Sequence, residues 1–463
     1  MTEQLKLKLN DSKATRWGAL VIVAFTMMAA YYVNDVVAPL KTMLETDLAW
    51  SSTDFGFFTG GYSFLNVFFL MLIWGGLILD RFGIRFTGKL ATILMVGGTA
   101  LEYYAMTGLA GADATLFGIN EIFGYKTGVF VAFAGYSIFG VGAEVAGITV
   151  YKIIAKWFKG KELATAMGVQ VALARIGSQA GYAVAIPLAR AFGISTPVLL
   201  GLVLLLGGMI AFFIFAVMDK KLDKQMEAAA IAAGTEDEEE KFSFKDVKNI
   251  LVNPGFWLIA LLCVLFYSCV FPFQKFASEL MIIKYGINEN VAGTFAGLPA
   301  LGALILTPVF GGFIDKRGKS ASIMLLGSAM LICVHFIYAI PDINYWLVAI
   351  VLMIILGIAF SLVPSAMWPA VAKIFPVSQL GTAYALIFFI QNIGLWGIPT
   401  LIGWVLDAYC ISGKKPDGTN MYDYTVPMCI FTGIACLSLI VALLLKKADK
   451  KYGYKLEEPN IQK

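Results

Sequence analysis

Twelve apolar runs, each long enough to cross about 30 Å of hydrocarbon, dominate this 463-residue chain. They lie near 17–40, 53–79, 86–107, 128–157, 162–190, 195–218, 255–283, 290–314, 320–340, 346–373, 379–406 and 425–446. Backbone in hydrocarbon must satisfy its own hydrogen bonds, so the expected fold class is an all-α membrane protein with twelve transmembrane helices. Composition agrees, because 59% hydrophobic and 14% charged residues give more apolar surface than a soluble domain can bury. The first run follows Lys6, Lys8, Lys13 and Arg16. It is too long for a signal-peptide core and lacks a small-residue cleavage site, so it reads as span 1.

An even number of spans puts both termini on one side. Loops on that side carry Arg81, Arg85 and Lys89, then Lys152, Lys156, Lys159 and Lys161, then Lys316, Arg317 and Lys319, then Lys373 and the tail from Lys446. The opposite loops hold only Lys41, Lys126, Arg190, Lys284, Lys414 and Lys415, so the positive-inside rule makes the termini cytoplasmic. The net charge of +4 is dispersed over these loops in no basic stripe, and no nucleic-acid partner is expected. The six cysteines include no CxxC pair and mostly fall in apolar runs, as packed free thiols do; neither metal nor cofactor is expected.

Composition changes between Asp219 and Asn253, where a basic start precedes the acidic run 236–240 and then FSFKDVKNILVN, which has amphipathic helical periodicity. The acidic run reads as a solvated linker, with a docking site as the alternative. The expected organisation is an N-terminal six-helix bundle over 1–218, a cytoplasmic linker with a short surface helix over 219–253, and a C-terminal six-helix bundle with its tail over 254–463. The halves repeat: GGLILDRFGIR (75–85) is echoed by GGFIDKRGK (311–319), and ELATA (162–166) by QLGTA (379–383) at an offset of 217 residues. In the first echo the glycines, Gly83 included, allow a tight turn. Asp80 and Asp315 can cap a helix or pair with Arg81, Arg85, Lys316 or Arg317 in one conformation, which makes these seven residues the expected gating latch.

Two charges lie mid-span. Glu144 in span 4 and Arg175 in span 5 are equally far from the basic turn at 159–161, roughly 20 Å deep at 1.5 Å per residue. They could neutralise each other as a buried ion pair. Their surroundings favour a cavity wall instead, since Tyr136 and Gly140 share the face of Glu144, and Gln179 and Tyr182 that of Arg175. The repeat offset carries Glu144 to Ser361 and Arg175 to Asn392, so the charges belong to the first half, and the second supplies Ser361, Ser365, Trp368, Asn392 and Trp396. An arginine in a dry site suits a carboxylate and a glutamate an ammonium, which together suit a zwitterion. Asn66 in span 2 is a further candidate. Asn34 and Asp35 lie toward the outer end of span 1, while Lys275 and Glu279 follow Pro272 at i,i+4, as a self-satisfied ion pair or a gate. Pro272 and Pro364 can bend their helices. The lone histidine, His335, reads as ordinary packing.

The repeated loop resembles the signature loop of the major facilitator superfamily, whose substrate site lies between two six-helix halves. Within it, WFKGKELATAMGVQVALARIGS (157–178), GVGAEVAG (140–147), WPAVAKIFPVSQLGTAYALIFFIQNIGL (368–395) and VFPF (270–273) resemble the family of major facilitator superfamily domain-containing protein 1, over both halves. That resemblance implies a dipeptide uniporter in which Glu144 engages the peptide amino terminus and Arg175 the carboxyl terminus. The ExxER motif of proton-coupled oligopeptide transporters is absent from FTMMAAYYVNDVV in span 1, and Tyr136 stands where proton-coupled branches have an arginine, which favours facilitated diffusion. The expected substrate site is therefore Glu144, Arg175, Asn392, Trp368, Tyr136, Asn66 and Gln179. The alternatives are an organic-anion or amino-acid porter, with or without proton coupling, and a sensor without net flux. No nucleophile, base and oxyanion site assemble in the sequence, so no enzyme is expected. The expected partners are a dipeptide and the lipid bilayer, with an accessory subunit left open. No acidic dileucine lies near either terminus, so the cell (inner) membrane is expected over the lysosomal membrane.

Overall fold

The computed structural model describes residues 8–111, 114–158, 161–233, 244–415 and 417–459. In the first half, α1 (Lys13–Val36) is followed by the short α2 (Lys41–Leu48), then α3 (Ser52–Phe68), α4 (Met71–Thr107), α5 (Thr127–Phe158), α6 (Leu163–Phe192) and α7 (Thr196–Ala233). The short α8 (Phe244–Val252) leads to α9 (Pro254–Tyr285), α10 (Glu289–Ala296), α11 (Leu298–Arg317), α12 (Ser320–Ala339), α13 (Trp346–Ile374), α14 (Val377–Tyr409) and α15 (Thr425–Tyr452).

Among the described residues nine helices are long and apolar enough to cross a membrane, and the broken α3–α4 pair passes the same test together. That pair holds two crossings, because Gly83 interrupts α4 at φ 74° and ψ 174°, where a side chain is disfavoured. Gly75 packs on Val145 and Gly142 on Ala91, so residues on either side of Gly83 face neighbouring turns of α5, and the chain has reversed. The twelfth crossing is α6, less apolar because it carries Gln170, Arg175, Gln179 and Arg190.

Each half has its own packing. In the first, α4 lies on α5 and α1 on α6; in the second, α11 lies on α13 and α12 on α15. Across the halves α3 packs on α14, and α6 on α10 and α11. Small residues set these spacings: a Cβ on Gly177 of α6 would collide with the Met28 carbonyl oxygen of α1. The outer loops add what the all-α expectation omits, two short antiparallel ribbons pairing Glu121–Ile122 with Tyr125–Lys126 and Ile411–Lys414 with Asn420–Tyr422.

The expected linker begins as helix. α7 continues past 218 to Ala233, and Asp219, fully buried, accepts from Lys156 Nζ at 2.8 Å and Trp157 Nε1 at 2.9 Å, which ties this extension to α5. The acidic run 236–240 and residues 159–160 of the basic turn lie outside the described residues. The amphipathic segment does form a helix, α8, which buries Ile250 and packs on α9 and α14.

Two glycines of α6 test this packing. Gly177→Ala should destabilise the protein by about 1–3 kcal/mol through overpacking. Gly168→Ala meets open space and should be neutral or slightly stabilising. Thermal unfolding in detergent would show the ordering, and equal melting temperatures would refute it.

Candidate functional site

A cavity of about 310 Å³ lies between the halves, lined from α1, α3, α4, α5 and α6 on one side and from α9, α13 and α14 on the other. Glu144 and Arg175 both line it, and both are half-buried. The Glu144 carboxylate accepts from the Tyr62 hydroxyl of α3 at 3.0 Å. The Arg175 guanidinium lies over the Phe360 ring of α13 at 4.8 Å and the Tyr31 ring of α1 at 5.6 Å. No ion pair joins Glu144 to Arg175 among the described residues, so the mutual neutralisation open to the sequence is not the arrangement adopted. Two opposite charges face one space, each met, among the described residues, by neutral groups.

Tyr136 and Trp368 also line the cavity. Tyr136 donates to the Asn34 carbonyl at 2.8 Å, and Trp368 stacks on Phe388 at 4.7 Å. Three expected residues lie elsewhere. Asn392 turns its amide onto the Phe388 carbonyl of its own helix at 2.9 Å, and its neighbour Gln391 lines the cavity instead. Gln179 reaches the Thr294 carbonyl of α10 at 3.3 Å, in the contact between the halves. Asn66 is buried off the cavity, and neither amide atom has a hydrogen-bond partner among the described residues. Ser361 and Ser365 bond back along α13, Ser361 to the Gly357 carbonyl and Ser365 to the Ser361 carbonyl, both at 2.7 Å. Tyr31, Tyr62, Tyr151, Tyr267 and Phe271, which are not among the residues expected from sequence, give the cavity its aromatic walls.

Lys275 and Glu279 do not pair along α9. Lys275 lies 3.2 Å from Asp35 of α1, and Glu279 lies 2.5 Å from Lys41, because in the folded bundle partners from the first half come nearer than the next turn of the same helix. Glu279 and Lys41 belong to a larger cluster. Lys41 also binds Glu45 at 2.6 Å, Lys415 lies 3.5 Å from Glu45 and 3.6 Å from Glu279, and Tyr424 donates to Glu279. Beside it, Asp407 of α14 accepts from the Ser52 and Thr53 backbone amides at the start of α3, at 3.3 Å and 2.5 Å. Arg190 of α6 pairs with Glu289 of α10. Below them Gly56 and Gly403 bring α3 and α14 so close that a Cβ on Gly403 would collide with the Ser52 carbonyl. These contacts lie on the side opposite the termini, so the cavity is closed toward that outer side.

The repeated loops sit at the terminal side. Asp80 pairs with Lys152 of α5 at 3.0 Å rather than with a loop arginine, and Arg85 reaches Asp223 of α7 at 3.1 Å and Asp219 at 3.9 Å. Arg81 rests over the neighbouring Phe82 ring at 5.5 Å. In the second copy, Gly318 takes a positive φ as Gly83 does, Lys316 and Arg317 are exposed, and Asp315 is half-buried.

A family model for the Major Facilitator Superfamily matches residues 20–399 and 276–458. The chain is 29% identical over 454 residues to the lysosomal dipeptide transporter MFSD1 of Homo sapiens, covering 95% of this chain and 88% of that one. It is 26% identical over 441 residues to the Danio rerio protein of the same name, covering 93% and 86%. Among solved structures, a point mutant of the nucleoside transporter NupG superposes with a TM-score of 0.68 at 12% identity, covering 92% of this chain and 98% of that one. A bacterial homologue of the human lysosomal transporter Spinster, inward-facing and unoccupied, gives 0.62 at 14%, covering 98% and 99%. At such identities the structural likeness speaks for the fold alone.

The close approach of α3 and α14 makes outer closure testable. Gly403→Leu should hold the outer side open. With Cys333, Cys429 and Cys436 changed to serine, a membrane-impermeant thiol reagent added outside should label Thr59→Cys, a cavity position, several-fold faster in Gly403→Leu than without it. Unchanged labelling would show that this contact does not govern closure.

Proposed function

From the premise that the chain belongs to the Major Facilitator Superfamily and is a multi-pass membrane transporter, we propose that it carries dipeptides recognised by their free termini, by facilitated diffusion. One observation carries the reading: Glu144 and Arg175 line one cavity, carry opposite charge, and are not paired with each other. In this reading Glu144 binds the peptide ammonium while Tyr62 holds its carboxylate in place, and Arg175, whose guanidinium lies near the Tyr31 and Phe360 rings, binds the peptide carboxylate. The aromatic walls, with Tyr136 and Trp368, accept varied side chains by apolar contact. The name shared by the MFSD1 relatives supports the substrate class. A volume of about 310 Å³ lies at the small end of ligand pockets and suits a peptide of few residues.

The latch residues extend the proposal. Asp80, Arg81, Gly83 and Arg85, with Asp315, Lys316 and Arg317 in the second copy, bias the two access states through contacts such as Asp80–Lys152 and Arg85–Asp223. The positive-inside asymmetry supports termini in the cytoplasm, and the cell membrane is the proposed location.

Uptake of labelled dipeptide into proteoliposomes tests the clamp. Free dipeptides should compete, while N-acetylated and C-amidated forms should compete at least tenfold less well, since each loses a hydrogen bond to a charged group, about 1.5–3 kcal/mol. Glu144→Gln should weaken the free peptide while sparing the N-acetylated one, and Arg175→Ala should do the same for the C-amidated one. Equal competition by blocked and free peptides would refute terminus recognition.

A further inference from the structure

Toward the outer end of the cavity sits a charge pair that terminus recognition leaves unused. Lys275 of α9, at the cavity wall, sends its ammonium across to the first half. It donates to the Asn34 carbonyl at 2.6 Å, lies 3.2 Å from the Asp35 carboxylate and 3.3 Å from the Tyr136 hydroxyl. The Asn34 carbonyl belongs to the last turn of α1, where helix carbonyls have no partner within the helix. Asp35 also accepts from Ser178 of α6 and from the Asn34 amide at 2.9 Å. Lys275 and Asp35 are 9% and 6% exposed, so neither charge is solvated here. Among the described residues, the other titratable groups around them are Tyr31 of α1, Tyr136 of α5, Tyr182 of α6 and Glu102 of α4, which is fully buried with no hydrogen-bond partner on either carboxylate oxygen. Glu279, one turn along α9, is engaged by Lys41, and Glu144 and Arg175 lie elsewhere on the cavity wall.

The pair spans the two halves, and outer opening must part it along with the Gly56–Gly403 contact. Once parted, each charge meets water. Once closed again, Asp35 is dry, and a dry carboxylate needs either a cation or a proton. We propose that Lys275 is a tethered counter-ion for Asp35, filling the place a proton would otherwise take, so that the outer side closes without proton uptake. This deepens the facilitated-diffusion reading and rests on it, because a carrier that supplies its own cation needs no proton to complete the outer half of its cycle. Without Lys275, one proton from the outer solution must bind an Asp35 carboxylate oxygen before closure and return when the outer side reopens; no other bond changes.

The test reads closure and needs no peptide, so its failure is separable from a failure of dipeptide uptake. Outer labelling of Thr59→Cys, in the background with Cys333, Cys429 and Cys436 changed to serine, is measured over a range of outer pH. Each rate is divided by that of the Lys275-containing parent at the same pH, which cancels thiol ionisation. Lys275→Gln should label at least tenfold faster than the parent at alkaline pH and fall toward the parent in acid, with a slope approaching about tenfold per pH unit. Asp35→Asn combined with Lys275→Gln should track the parent at every pH. A Lys275→Gln ratio that is flat with pH would overturn the proposal. If Lys275→Gln does not fold, Asp35→Asn alone decides. It strands a dry ammonium, so it should label fast with no rescue by acid, and parent-like labelling would overturn the proposal.

Discussion

A charge taken from water into a bilayer costs several kcal/mol unless a partner meets it. Most of the buried charges described here meet an opposite charge. Lys41, Glu45, Glu279 and Lys415 meet one another at the outer seal, and Lys275 meets Asp35 across the halves. Glu144 and Arg175 are met only in part, one by a single hydroxyl and the other by ring faces. A hydroxyl cannot neutralise a carboxylate, and the face of a phenyl ring supplies far less than a counter-ion. Partial compensation leaves room for a ligand to complete it, which fully paired charges do not.

The same cost explains why the seal is built as it is. Replacing buried ion pairs with well-packed apolar groups often leaves a protein as stable or more so, so such pairs are a poor choice if permanence were the aim. They suit an interface that must come apart, because their members regain hydration on opening, whereas an apolar seal would lose its whole gain. The outer contacts accordingly mix ions, a helix start held by Asp407, and glycine-lined backbone approach between α3 and α14. Closing them positions groups that also line the cavity, Tyr136 and Lys275 among them, so seal and site share side chains.

Much of the architecture was legible because hydrocarbon enforces it. Span lengths, the two halves and the repeated glycine turns follow from hydropathy and from positive-φ positions, and Gly83 and Gly318 take up the conformations their motifs require. Glu144 and Arg175 line one cavity at the shared depth their spacing implies, since both sit in long helices where counting residues is reliable. Counting failed where rotation about the helix axis decides. Asn392 and Gln391 differ by about 100° around α14, and an offset between repeats fixes depth far better than azimuth. It failed too for Lys275 and Glu279, because i,i+4 spacing records proximity along one helix and is silent about partners arriving from another. The two outer ribbons escaped notice because strands of two to four residues carry no periodic signal.

The halves are alike in fold yet unlike in charge, and that difference bears on mechanism. With both charges of the proposed clamp in the first half, a bound zwitterion would be held chiefly there, while the second half contributes Trp368, Phe388, Tyr267 and Gln391 as walls. Rocking the second half over a ligand anchored on the first keeps the strong contacts intact through the transition and changes only apolar and weakly polar ones. The energetic difference between the two access states then falls on groups at the ends of the cavity, on the outer ion pairs and on the terminal-side loops, and hardly on the ligand. A carrier meant to equilibrate its substrate needs that division, because a ligand bound much more tightly in one state would leave the other unpopulated.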